Sequence, residues 1–288
     1  YVLKVQSNRE RTIRDNLMRE FNAHLKINGH RGRFPDHGVV SGNQLVNTRA
    51  RRTDAPVTPV DLVAASGWRI EYNLIADFVK DGGDFTSYGA FAKGGGSGNR
   101  FERNVVLCEH RLRGAGGRRI GLSFGGGGTG ASVCRDGRCV VEHERGAMLA
   151  NVIASCSDNG IYINRAAQTQ LRHNTLIDTA GINVRFAESS AQADGNLVDG
   201  PISARDGAIL RSGDNRSTRL VASYVGLSDV RARFADALAL DLAWSSAPPR
   251  RAATSGDGPG ADLCGAPRAE APAYGAFEDV VRCAARPR

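Results

Sequence analysis

The sequence predicts an all-β fold, a right-handed parallel β-helix (a solenoid of short stacked strands) that ends in an irregular C-terminal segment. Three observations predict it. First, an Asn followed by two strand-forming residues recurs: Asn16-Leu-Met, Asn43-Gln-Leu, Asn73-Leu-Ile, Asn104-Val-Val, Asn151-Val-Ile, Asn174-Thr-Leu and Asn196-Leu-Val. Most copies are separated by about twenty to thirty residues, the length of one solenoid coil. Second, short β-branched runs such as Gly160-Ile-Tyr-Ile and Gly181-Ile-Asn-Val lie between them, too short for helices and bounded by turn residues. Third, the chain uses 35 Gly and only 6% aromatics, a composition suited to many tight corners around a narrow interior.

Each element has a physical reason. Asn tolerates left-handed backbone at a strand-to-strand corner, so the Asn is expected to take that conformation. Its amide both donates and accepts, so Asn residues of successive coils can satisfy one another in the core. The long step from Asn104 to Asn151 holds a Gly-rich stretch and the Cys134–Cys139 pair, and reads as one coil carrying an insertion. Residues 1–214 form the coils, with the first of them read as N-terminally incomplete, and 215–288 a capping extension. Ser228 to Asp241 reads either as one helix or as a loop plus a strand. Pro248-Pro249 and the segment beginning Ser255-Gly-Asp-Gly-Pro-Gly read as linker. A leucine-rich repeat is excluded because its regular Leu spacing is missing, and a propeller because there are not four strands per unit.

The net charge is +8 with a pI near 9.5, which points to an acidic partner. No nucleic-acid motif or aromatic stacking platform accompanies the charge, so an acidic polysaccharide is the expected partner. No apolar run is long enough to span a membrane. The six cysteines lack zinc-type spacing. A Cys134–Cys139 bridge would close a small loop and Cys264–Cys283 would staple the tail. Cys108 and Cys156 remain, as a third pair or as buried thiols. Such cysteine usage fits an oxidising, extracytoplasmic compartment, so secretion is expected.

Two stretches carry a resemblance. The tail, Asp262-Leu-Cys-Gly-Ala-Pro-Arg268 followed by Tyr274-Gly-Ala-Phe-Glu278, resembles the C-terminal signature of secreted bacterial right-handed β-helix proteins, which implies that fold and secretion. The segment from Tyr88 through Lys93 to Asn104 resembles the Lys-containing coil of the polysaccharide lyase family that includes chondroitinase B and alginate lyases. That resemblance implies β-elimination on a uronate glycan with Lys93 as base. The family would place an Arg in the next coil, but Gly121–Gly130 contains none.

Beta-elimination needs a base, a cation beside the substrate carboxylate and an acid for the leaving oxygen. Beside Lys93, Arg119 is the candidate cation and His110 the candidate acid, with Arg118 and Lys80 as further substrate contacts. Asp81 and Asp84 could hold Ca²⁺ or simply form turns. Gly89, Gly121, Gly160, Gly181 and Gly207 each open a similar run, and the residues four places on are Lys93, Gly125, Asn164, Arg185 and Arg211. Aligned, these would form a column up one face, about 4.8 Å per coil, with Asn164, Arg185 and Arg211 as binding residues. The Gly125–Gly130 run lacks the phosphate-loop ending. It serves either as a flat floor for a sugar or as a conformational device. The basic stretch Asn28–His37, with Arg49, Arg51 and Arg52, reads as a solvated loop or as a second grip on an anionic chain. The readings are therefore a lyase, a non-catalytic adhesin or structural solenoid binding anionic glycans, and thirdly a glycoside hydrolase, for which no poised carboxylate pair is visible.

Overall fold

The computed structural model describes every residue except 7–10, 30–31, 127, 220, 223–224, 226, 253–259 and 285–288. His30 and Arg31 of the basic stretch, and most of the Ser255 linker, therefore lie outside the described residues.

Among the described residues the chain winds into eight coils, and each coil contributes one strand to each of three parallel sheets. Sheet A runs from Leu3–Gln6 through Leu25–Asn28, Val60–Val63, Thr86–Lys93, Arg118–Phe124, Ile161–Asn164 and Ile182–Arg185 to Ile202–Arg205. Sheet B runs from Arg11–Arg14 to Ile209–Ser212, and sheet C from Leu17–Arg19 to Arg216–Ser217. The period of two in each strand sends alternate side chains inward. Leu25, Leu62, Leu122, Ile161 and Ile182 of sheet A meet Ile70, Phe101, Met148 and Leu171 of sheet B and Ile75, Val106, Ile153 and Leu176 of sheet C in one continuous core, all fully buried.

The Asn residues form an amide ladder along the corner between sheets B and C. Asn73 Nδ2 donates to Asn104 Oδ1 at 3.0 Å, and the backbone N–H of Asn73 donates to the same oxygen at 3.1 Å. The second Nδ2 proton goes to the Val40 carbonyl at 2.9 Å. The same pattern links Asn16, Asn43, Asn104, Asn151, Asn174 and Asn196 and ends on Asn215, a copy beyond the seven in the sequence repeat. The left-handed backbone, however, falls on the residue before each Asn. Asp15, Gly42, Tyr72, Arg103, Ala150, His173 and Gly195 have φ between 53° and 68°. The Asn itself must stay extended so that its N–H and its amide both reach the next coil.

Beyond Ser217 the chain leaves the coils and packs on the outer face of sheet C. From Ser228 to Asp241 there is a loop with one 3-10 turn and the strand Phe234–Asp236, which pairs antiparallel with Asp241–Trp244, so the helix alternative falls. Phe234, Tyr274 and Phe277 bury outward-facing Ala76, Leu107, Ala154, Ile177 and Leu197. The tail signature is the clamp. Asp262 accepts the N–H groups of Ala266 and Glu278, and Arg268 donates to the carbonyls of Gly275 and Ala276. Three disulfides close the structure: Cys108–Cys156 between neighbouring coils, Cys134–Cys139 in the insertion and Cys264–Cys283 in the tail. Chain-entropy reasoning gives them about 4, 2 and 3 kcal/mol respectively.

Candidate functional site on the outer face of sheet A

Strand register fixes what faces outward. Lys26, Asp61, Phe91, Ser123, Tyr162 and Asn183 form one column on the outside of sheet A, and Asn28, Val63, Lys93, Gly125, Asn164 and Arg185 form the next. Above Arg185 the column continues to Arg205, not Arg211. Pro201, rather than Gly207, takes the register of Gly181, because Ile182 pairs with Ile202. Arg211 lies on sheet B, opposite Gln192.

Much of this outer face is buried although it is polar. Asp61 (5% exposed), Phe91, Ser123, Tyr162 and Asn164 are all covered. Two loops wall it. The loop carrying Phe34 packs on Val63, Ala64 and Phe91. The insertion after Phe124 turns back across Lys93, so that a side chain at Gly126 would come 3.3 Å from Lys93 Cδ. Arg135, inside the Cys134–Cys139 loop, joins the two walls. Its guanidinium holds Asp36 at 2.6 and 3.0 Å, reaches the Ala64 carbonyl at 3.0 Å and stacks on Phe34 at 4.2 Å. Burial raises the Asp36 carboxyl, but the Arg135 and Ser66 donors outweigh it and hold the group below its usual value. Glu142 fixes the insertion's base, accepting from the Gly94 N–H at 3.1 Å and the Thr129 hydroxyl at 2.5 Å.

Lys93 sits at the centre of this arrangement. Its Nζ lies 4.7 Å from the Phe91 ring centre, and no carboxylate among the described residues comes within ion-pair distance of it. Burial lowers its pKa from the ordinary lysine value; Asp61 and Glu142 oppose this and Lys26 adds to it. Asp61 takes the neighbouring Lys26 at 2.5 Å through Oδ2, while its buried Oδ1 is unpartnered. Burial raises the Asp61 pKa against the pull of Lys26 and Lys93. The Asn164 Oδ1 is likewise buried and unpartnered. Tyr162 shares the face near Arg185, which pairs with Asp206 and stacks on Phe186 at 4.5 Å. Tyr88 packs edge-on against Phe91, and burial pushes its hydroxyl up to about 12.

The other expected partners lie elsewhere. Arg119 pairs with Ser87, six strand residues and up to about 20 Å of chain from Lys93. It is 1% exposed, and its guanidinium is spent on Glu109 and on the carbonyls of Ala115, Gly116 and Gly117. It is a buried staple of its own loop, with four of its five N–H donors engaged there. His110 is exposed in that same loop, its backbone N–H held by Asp77, so it is not placed beside Lys93. Arg118 is exposed at the far end of the strand and donates to Thr86. Lys80 is buried against Asp84 and the Asp54 carbonyl. Asp84 is thereby neutralised, and Asp81 pairs with Arg52, so these two carboxylates do not fit a divalent cation. The Cys134, Asp136 and Cys139 grouping does not fit one either, since its sulfurs are joined in a disulfide and Asp136 accepts the N–H groups of Arg138 and Cys139. Arg49 and Arg51 share Glu20.

The glycine run has a conformational origin. Gly125 has φ +71° and a Cβ there would lie 1.7 Å from the Asn164 carbonyl oxygen, so only glycine allows the chain to leave the coil at this point. Gly126 then covers Lys93 instead of leaving an open floor. Comparison of the chain with family models, with curated proteins and with solved structures finds no match in any of the three.

Proposed function

We propose that the outer face of sheet A binds an acidic, uronate-containing glycan and cleaves it by β-elimination, with Lys93 as the base. The observation that carries this reading is the state of Lys93. It is a desolvated ammonium without an ion pair among the described residues, held over Phe91 between two walls that Arg135 locks together. Burial increases the fraction of neutral amine, which a base near neutral pH requires. The amine takes the proton beside the uronate carboxylate, its electrons form the ring double bond, and the glycosidic oxygen leaves. Tyr162, in the outer column next to that of Lys93, is the group on this face suited to protonate that oxygen. Asn164 and Arg185 offer hydrogen bonds and charge to neighbouring carboxylates. The resemblance of the Lys93 coil to polysaccharide lyases agrees with this assignment. Three disulfides favour an oxidising compartment, and no helix among the described residues is long and apolar enough to cross a membrane.

A second reading, a glycan-binding solenoid without catalysis, is favoured by one specific feature. Arg119, the cation expected to neutralise the carboxylate, is consumed inside the fold. The protein is therefore to be incubated with alginate, polygalacturonate and glycosaminoglycans while ultraviolet absorbance of the new double bond is followed. Absorbance growing with one polymer supports the lyase. Binding without any absorbance change selects the second reading.

A further inference from the structure

A row of arginines lies on sheet B, away from Lys93. The outer column of sheet B reads Arg69, Arg100, Ala147, Gln170, Gln192 and Arg211, one residue per coil. Five steps at about 4.8 Å make a strip roughly 24 Å long. In its middle the column drops to Ala147. There the tail arches past the sheet and leaves a cleft of about 290 Å³ between Arg100, Gln170, Arg251 and Arg268. A second cleft of about 340 Å³ continues upward over Gln192 to Arg211 and shares Gln170 with the first.

The lower cleft is built rather than merely lined by surface charge. Arg251 is 5% exposed and held by Asp194 at 2.5 Å, while its Nε is buried without a partner. Arg268 is held by Glu278. His173, on the same wall, is kept neutral down to about pH 3, first by burial and then by Arg268 and Arg251, so it is a polar contact at this site and not another cation. Arg100 is paired with Glu102 at the sheet, and among the described residues Arg211 has no ion pair.

We propose that these two joined clefts form an accessory binding site for an acidic polysaccharide, separate from the Lys93 face, with Arg100 and Arg211 contacting carboxylates and Gln170 and Gln192 contacting hydroxyls. The chemistry favours a glycan over nucleic acid. Arg69 and Arg100 at one end of the strip and Arg211 at the other are separated by Ala147, Gln170 and Gln192, which suits a hydroxyl-rich chain bearing isolated charges. The column carries no aromatic ring on which a base could stack. A site here would keep a long polymer on the protein while another stretch of it visits sheet A.

The test is affinity electrophoresis in gels containing polygalacturonate, using the intact disulfide-bonded chain, with mobility normalised to polymer-free gels. The proteins are Lys93→Gln, in which the candidate base is gone so that the polymer in the gel stays intact, and the same variant carrying Arg100→Gln and Arg211→Gln as well, each checked by its thermal transition. Both arginines are exposed, so the triple variant is expected to fold. The proposal expects the two added substitutions to raise Kd at least tenfold. It is overturned if the triple variant binds within twofold of Lys93→Gln. Duplex DNA bound as tightly and lost with the same two substitutions would replace the glycan by a general polyanion surface. These readouts do not depend on β-elimination, so failure of the lyase assignment leaves them interpretable.

Discussion

The outer faces of sheets A and C differ in what they bury. Sheet C presents Ala76, Leu107, Ala154, Ile177 and Leu197, and the tail covers them with Phe234, Tyr274 and Phe277. The Asp262–Arg268 clamp holds the covering tail in shape by hydrogen bonds. Sheet A presents Asp61, Phe91, Ser123, Tyr162 and Asn164 just as buried, yet leaves the Asp61 and Asn164 oxygens unpartnered and Lys93 without an ion pair. One backbone repeat thus produces a face closed by packing and a face whose polar groups await something else. Buried unsatisfied polar atoms cost stability; others lie elsewhere in the molecule, but the Asp61 and Asn164 oxygens share the outer face of sheet A with Lys93, where a ligand would act.

That contrast can be broken by substitution. On the closed face, Phe277→Ala should cost about 3–5 kcal/mol, because Phe277 is fully buried against Phe234 and Trp244; urea unfolding measures it. In the ladder between sheets B and C, Asn104→Ala strands the Asn73 N–H and one Asn73 Nδ2 proton and removes the bond to the Ile70 carbonyl. A loss of roughly 2–4 kcal/mol is expected by the same measurement, from two buried groups left unpaired. On the open face, Arg135→Ala should cost about 1–3 kcal/mol as the bidentate pair with Asp36 is lost. Its larger effect should be a raised KM, since it frees the wall beside Lys93.

A pH series sharpens the comparison further. His143 stacks on Phe124 at 4.2 Å, fully buried, and burial lowers its pKa to about 3. Burial also lowers His24 to about 4. The unfolded chain binds protons on these residues first, so their contribution is complete above about pH 6.5 and is lost as pH falls toward 3 to 4. The thermal midpoint should fall across that window. His143→Phe, which keeps the stack, should make the fall shallower; an unchanged slope would remove His143 from the account.

The fold was legible because its determinants are periodic. The Asn repeat and the short Gly-opened strands state the coil length directly, and the amide ladder follows from the chemistry of Asn. The left-handed corner was misassigned because the residue that adopts it is Asp, Gly, Tyr, Arg, Ala or His in different coils, which leaves no compositional mark. Arg211 was misaligned because the last coil opens on Pro201 instead of a glycine. One alignment placed Lys93, Asn164 and Arg185 in a single column, and the strand register agrees. The same alignment read two residues after each glycine would have shown Phe91, Ser123, Tyr162 and Asn183, the neighbouring column. Arg119 looked like a free cation because nothing in the sequence tells that three carbonyls of its own loop turn toward it. The walls of the site were beyond reach for the same reason, since Arg135 meets Asp36 across ninety-nine residues.

The central claim is that Lys93 does chemistry on the open face, and comparing Lys93→Ala with wild type tests it most directly. On the polymer that gives the strongest absorbance, kcat/KM should fall by about 10²–10⁴-fold, the range for loss of a general base. The thermal midpoint should stay within a few degrees, because the Lys93 ammonium forms no ion pair among the described residues. Undiminished elimination by the folded variant, or no elimination by wild type on any uronate polymer, would contradict it.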